Sequence, residues 1–283
     1  MREKLHQNKQ ERTRKEWGRC ILIGIIVLTG ALSEAKGQAV LGARAVALGQ
    51  TSVALAASEW ALFANPSILE AGRSSAAFYG FRYYGFAEIT DMAAVVNHAT
   101  GIGMFAAGVH RYGFDLFNES RYRLGYKYHT GDFHYGAALT YHHVVQGGGY
   151  GSVGAVGVDL GLAVAIGEQL WFGARTTNVN RPRYGNVEED LPRDLAIGMS
   201  YDAGEKVIII SELVKDVRFP VSYRGGIEVT IMNGLTGRAG ITTEPVTFSM
   251  GFGYRRPGWG VNIAAQRHEL LGMSPGFDLN LTL

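Results

Sequence analysis

From residue 74 onward, apolar and polar residues alternate with a period of two along nearly every stretch, the mark of a strand with two unlike faces. At the end of the chain, Phe277, Leu279, Leu281 and Leu283 share one face, and Asp278, Asn280 and Thr282 share the other. Residues 155–166 set Val156, Val158, Leu160, Leu162, Val164 and Ile166 against Ala155, Gly157, Asp159 and Gly161. Two adjoining runs repeat the pattern with aromatics. Tyr122, Leu124, Tyr126 and Tyr128 oppose Arg121, Arg123, Lys127 and His129, while Phe133, Tyr135, Leu139 and Tyr141 oppose His134, Thr140 and His142. Gly131-Asp132 between them predicts a tight hairpin turn.

The same reading predicts strands over 74–84, 90–98, 102–112, 119–130, 133–144, 153–166, 169–177, 192–202, 206–215, 222–232, 235–242, 246–255, 259–267 and 276–283. Connections alternate between very short ones and mostly longer ones, such as 85–89, 145–152, 178–191 and 268–275. An even number of strands of about ten residues, with turns of unequal length at the two ends, predicts an all-β fold: a transmembrane antiparallel β-barrel of an outer membrane. A soluble β-sandwich also alternates, but its outer face should carry Lys and Glu. Here one face carries single charges (Arg82, Asp159, Arg175, Asp194, Arg224, Glu228, Arg238, Arg255), and the other is nearly free of them. Aromatics such as Tyr79, Phe81, Tyr83, Tyr122, Tyr141, Tyr223 and Phe252 are expected in interface girdles, with core packing as the competing explanation.

Composition agrees. There are 39 glycines among 283 residues, about twice the usual ~7%. They stand mostly singly inside alternating stretches, which disfavours helices. The formal charge of +2 is set by the first 39 residues, which hold 8 basic and 4 acidic residues and leave 19 and 21 beyond. No basic tract suggests nucleic acid. Met1 to Arg19 is polar and basic, Cys20 to Leu32 is an apolar run, and the small-residue endings Ser33-Glu34-Ala35 and Gly37-Gln38-Ala39 follow. This layout predicts a secretory signal peptide over 1–39, cleaved after Ala35 or Ala39. The rival reading, an uncleaved anchor, needs ~20 apolar residues. Cleavage would remove the only cysteine.

Residues 40–72 break the alternation. Leu48, Ser52, Leu55, Glu59 and Leu62 follow one helical face, and Asn65-Pro66 stops the helix. A short, mostly apolar helical segment before a barrel is expected in the lumen as a plug, the barrel proper being 73–283. A tail packed beneath the barrel is the alternative. Catalytic patterns are missing: there is no nucleophile elbow, Walker loop or metal-type His/Cys spacing. Gly149-Tyr-Gly151-Ser-Val-Gly154 precedes a strand where a dinucleotide site needs a helix. No enzyme, cofactor or metal is therefore expected. His142 and His143 face opposite sides of one strand. His129, His134 and His142 are expected to hydrogen-bond in the lumen beside Arg121, Arg123 and Lys127. Those cations also admit a second reading, as a draw for an anion or carboxylate headgroup.

Particular residues carry a family resemblance. Gly42-Ala43-Arg44-Ala45, Ala47-Leu48-Gly49, Val53-Ala54, Trp60-Ala61 and Asn65-Pro66 resemble the N-terminal hatch of the FadL-like superfamily of outer-membrane barrels, most nearly its shorter PorV/PorQ-like branch associated with type IX secretion. Arg238-Ala-Gly-Ile241, Gly251-Phe-Gly-Tyr254 and the run from His268 to Pro275 resemble that branch's last strands. Ser67 stands where the hatch usually has Ala, and Leu283 where terminal strands commonly end in an aromatic. The resemblance implies a Gram-negative outer-membrane location and hatch residues at Arg44, Leu48, Gly49, Trp60, Asn65 and Pro66. It also implies one of two functions. One is a partner-binding accessory for secretion machinery or surface attachment, and the other is a passive channel for a hydrophobic ligand. The polar residues of 178–191 favour the accessory. Expected lumenal charges are Arg121, Arg123, Lys127, Asp159, Arg175, Arg224, Glu228 and Asp278, with Arg44 pairing to Asp159, Glu228 or Asp278 because a lone buried charge is costly.

Overall fold

The computed structural model describes residues 40–70, 72–148, 151–185, 190–204 and 206–283, and the signal peptide expected over 1–39 lies outside them. Fourteen antiparallel strands follow in order: β1 (Ser75–Arg82), β2 (Thr90–Thr100), β3 (Gly103–Phe114), β4 (Phe117–Thr130), β5 (Phe133–Gln146), β6 (Gly151–Ile166), β7 (Leu170–Thr176), β8 (Asp194–Asp202), β9 (Val207–Asp216), β10 (Ser222–Met232), β11 (Leu235–Thr243), β12 (Val246–Arg256), β13 (Trp259–His268) and β14 (Gly272–Thr282). Each pairs with its sequence neighbours, and β1 pairs with β14 from Ser75↔Thr282 to Phe81↔Gly276. The sheet is a closed barrel with no free edge.

Alternation separates the two faces. Leu124, Tyr122, Tyr141, Ile197, Phe248 and Ile263 point outward, each at least 45% exposed. Their neighbours Arg123, Thr140, Ala196, Ser249 and Asn262 are buried inside. An apolar exterior on a closed sheet is a lipid-facing surface, because every backbone polar group is satisfied within the wall.

Several sequence expectations need correction. Tyr79 and Phe81 are not girdle aromatics but face inward and are buried, whereas Arg82 lies on the outward face. His129 is exposed at the barrel end, where the strand has left the packed interior. Connections at the two ends are less unequal than expected: 115–116 and 269–271 are short, as 243–245 was expected to be, and the length resides in 83–89, 177–193 and 217–221. Residues 272–275 belong to β14 rather than to a loop. Pro275 pairs with Ala265 on β13 and lies one residue beyond Phe81↔Gly276, the last pair between β1 and β14, a strand-end position that tolerates a residue without an N–H.

Residues 40–70 are also less helical than expected. Helix α1 covers only Ala43–Ala47, and short 3-10 turns occupy Ala61–Phe63 and Pro66–Ile68. Positive φ at Gly49 (71°), Gln50 (61°) and Ala57 (54°) bends the chain away from a helical path. Asn65-Pro66 starts the second turn instead of ending a helix: the Asn65 side chain accepts from Ser67 N at 3.1 Å, and proline fits the first position.

Candidate functional site

Residues 40–70 pack against the inner face of strands around the whole barrel, and small wall residues make the contact possible. A Cβ on Gly136 of β5 would lie 2.2 Å from Ser67 N, and one on Gly240 of β11 would lie 2.1 Å from Gly49 N. Only glycine admits so close a backbone approach.

Around α1 the polar contacts form a ring. The Arg44 guanidinium donates from Nε and Nη2 to the two Glu228 carboxylate oxygens, each at 2.9 Å, and from Nη1 to Ala56 O at 3.0 Å. Arg238 donates to Glu228 at 2.5 Å and to Asn262 Oδ1 at 2.7 Å, and Asn262 donates to Asp278 Oδ1 at 2.6 Å. Asp278 Oδ2 accepts from Ala43 N at 2.7 Å, which returns the ring to α1. Of the three carboxylates expected for Arg44, Glu228 holds it. Asp278 binds the backbone one residue earlier, and Asp159 lies in an ion pair with Arg123. A bidentate pair with every donor used is the arrangement in which buried charges offset their desolvation.

The next turn of chain is held by β8 to β11. Glu212 Oε2 accepts from Ser52 N at 2.6 Å and from Val53 N at 2.8 Å, and Arg224 donates to Gln50 O at 3.0 Å. Ser200 donates to Ala54 O and Thr242 to Gly49 O, at 2.9 and 2.8 Å. Farther on, Arg175 donates to Ala64 O at 3.0 Å and to Asp194 at 2.9 Å, and Lys127 donates to Leu69 O at 2.5 Å. Asn65 donates to Val53 O at 2.7 Å, tying the two halves of the segment together. The apolar remainder packs conventionally. Trp60 meets Tyr79 edge to face at 5.6 Å, and Leu62, Phe63, Ile68 and Leu69 join Val95, Met104 and Ala138 in one buried cluster.

A separate buried chain lies on β2 to β4. Arg121 Nε donates to His110 Nδ1 at 3.0 Å, so the His110 proton sits on Nε2 and is donated to Asp91 at 2.6 Å. Tyr83, in the β1–β2 connection, donates to the other Asp91 oxygen at 2.8 Å. Burial and then the Asp91 carboxylate push the Tyr83 phenol well above its ordinary value, which keeps it a donor. Arg121 is thus engaged by His110, Arg123 by Asp159, and Lys127 by a carbonyl. His134 and His142 are buried beside them.

The expected hatch residues Arg44, Leu48, Gly49, Trp60, Asn65 and Pro66 therefore all lie against the inner wall. The eight expected lumenal charges Arg121, Arg123, Lys127, Asp159, Arg175, Arg224, Glu228 and Asp278 lie on the inward face, spread among the separate contacts described above. Glu212, Asn262, Asp91 and His110 were not singled out from sequence. The phase of β9, in which Ile208, Ile210, Glu212 and Val214 share a face, carries the signal for Glu212.

No protein-family model matches the chain, and no curated protein matches it in sequence. Solved structures do match in fold. The toluene transporter TodX of Pseudomonas putida superposes with a TM-score of 0.62 at 13% identity, over 88% of this chain and 97% of that one. A FadL homologue of Pseudomonas aeruginosa gives 0.52 at 10% identity, over 87% and 97%. The outer membrane protein Omp33 of Acinetobacter baumannii gives 0.50 at 9% identity, over 75% and 98%. The chain has the fold of Gram-negative outer-membrane β-barrels, and the FadL type is among those it resembles.

Proposed function

We propose that this barrel is a passive, non-enzymatic channel for small hydrophobic molecules across the outer membrane, with residues 40–70 as its movable hatch. The observation that carries this reading is a concavity of about 640 Å³ in the wall across β6 to β10. Its rim is formed by Leu162, Phe172, Ile197, Met199, Leu213 and Tyr223, and its floor by the small residues Gly173, Ala174, Gly198 and Ser211. On the lumenal side of that floor, Val53 packs against both Gly173 and Gly198. One thickness of backbone separates an apolar, lipid-facing dent from the inner segment, so a shift of Val53 and Ala54 would bring lumen and dent close together.

The rim with the longer connections supplies a surface for capture. Phe86, Leu116, Val217 and Leu270 are all more than half exposed there. Loop 178–191 alone, being polar, suggested that no such surface existed, and its neighbours supply it. The fold likeness to a toluene transporter supports transport over the secretion-accessory role implied by the PorV/PorQ resemblance.

Uptake of labelled toluene by cells expressing the barrel tests the proposal. Wild type should exceed an empty-vector control, and Ala174→Phe, which fills the dent, should fall to the control level while keeping heat-modifiable gel mobility. Uptake by wild type no greater than the control, or undiminished in the folded Ala174→Phe variant, would overturn it.

A further inference from the structure

Charged strand residues divide unevenly between the two faces. Every Asp and Glu of the described strands lies on the inward phase, and the outward phase carries only cations: Arg82, Arg111, Lys215 and Arg267 at the end with the longer connections, and Arg256 at the other. Arg256 is engaged by a neighbour on its own strand, donating to the Tyr254 hydroxyl at 2.5 Å and lying over its ring. Lys215 donates to Phe219 O at 2.5 Å. Arg82, Arg111 and Arg267 are exposed, and no side-chain hydrogen bond or ion pair joins any of them to another described residue.

These three arginines are placed regularly. They stand on alternate strands, β1, β3 and β13, each within the last four residues before the connection. Neighbouring strands are about 4.8 Å apart, so successive guanidinium stems are spaced by roughly 10 Å. Their stems leave an apolar surface: Met92 lies opposite Arg111 and Met273 opposite Arg267, both outward and about half exposed. A long cationic side chain rooted in such a surface extends along it until the charged head reaches the polar boundary. Outward carboxylates, which would neutralise these heads or repel an anion, are absent from the described strands, and the acids of the adjoining connections, Glu88, Asp115 and Glu269, form no ion pair with the three arginines.

We infer that this rim, at β13, β1 and β3, binds the anionic phosphate headgroups of membrane lipids. A guanidinium matches phosphate oxygens in a bidentate manner, and each basic side chain at a membrane surface favours anionic lipid by roughly fivefold. The contact also distinguishes the two ends of the barrel, since the opposite rim has no free outward cation among the described residues.

The test compares full-length barrel reconstituted in phosphatidylcholine vesicles containing phosphatidylglycerol, extracted into detergent and examined by native mass spectrometry for retained lipid. Wild type should retain phosphatidylglycerol in preference to phosphatidylcholine. The variant Arg82→Gln/Arg111→Gln/Arg267→Gln, folded by gel mobility, should lose that preference by at least about tenfold, the effect of three such side chains with some allowance for redundancy. Equal retention by the variant would overturn the inference. Complete displacement of the lipid by inorganic phosphate at matching headgroup concentration would overturn it as well, since the rim would then be a site for the free anion. The single change Arg256→Gln at the opposite rim should leave retention unaltered, and a loss equal to that of the triple variant would mean the preference is not a property of this rim.

Discussion

The two halves of the inner segment differ in the balance of what holds them. Residues 42–57 carry all the carboxylate contacts to the segment's backbone amides, through Asp278 and Glu212, with Glu228 on Arg44 and Arg224 on Gln50 O, beside buried apolar side chains such as Val46, Leu48 and Val53. Residues 58–70 rely mainly on shape, through Trp60, Leu62, Phe63, Ile68 and Leu69 in an apolar cluster that draws mostly on β1 to β5, with Arg175 and Lys127 holding the Ala64 and Leu69 carbonyls. Charge contacts are few and directional, so a displaced half loses them together. Apolar contacts are many and tolerant of sliding. The charged half is the one that packs behind the wall concavity, through Val53 and Ala54. Under the proposed function, that half moves and the apolar half serves as its anchor.

Breaking the anchor should have the largest effect. Trp60→Ala removes a side chain that is 2% exposed and should cost about 3–5 kcal/mol, seen as earlier loss of folded gel mobility on heating or in urea. Glu212→Ala strips the Ser52 and Val53 amides of their acceptor and leaves Arg224 without its nearest carboxylate. It should cost about 3 kcal/mol and raise hydrogen exchange at residues 52–54 while exchange at 62–69 stays near wild type. Equal acceleration in both stretches would mean that the two halves open as one. Arg44→Ala leaves Glu228 its bond to Arg238, so a smaller loss of about 1.5–3 kcal/mol is expected. Single-channel recording should then show more frequent openings, and conductance identical to wild type would remove the basis for a moving half. Tyr83→Phe, outside both halves, deletes one hydrogen bond to Asp91 and should cost about 1 kcal/mol with no change in openings.

The sequence made the wall legible far better than its contents. In β6, and in β10 as far as the irregularity between Thr230 and Met232, the period of two dictates the faces, and the strand bounds follow to within a few residues. The same period assigned Glu228 and Asp278 to the lumen. It could not assign partners, because Arg44 reaches Glu228 across 184 residues and nothing local distinguishes that carboxylate from Asp159. Tyr79 and Phe81 went astray because alternation separates two faces without saying which one meets lipid, and an aromatic suits either. The helical face expected from Leu48 to Leu62 failed for a related reason. Ala-rich chain favours helix in isolation, but here wall carboxylates and carbonyl-seeking arginines satisfy the backbone groups that a helix would have satisfied itself.

The seam between β1 and β14 is the longest-range pairing in the wall. Those strands pair at a separation of about two hundred residues, so the ring cannot shut until the last strand has arrived, a slow step by any measure of contact distance. Residues 40–70, by contrast, come before every strand. Their partners on β9 to β14 lie farthest along the chain, and those on β1 to β5 lie nearest. The apolar cluster therefore closes mostly shorter loops and the charged ring the longer ones, with Arg44 reaching Glu228 across 184 residues. The ring at Arg44, Glu228 and Asp278 is complete only when the final strands stand in register, which makes it a check on closure.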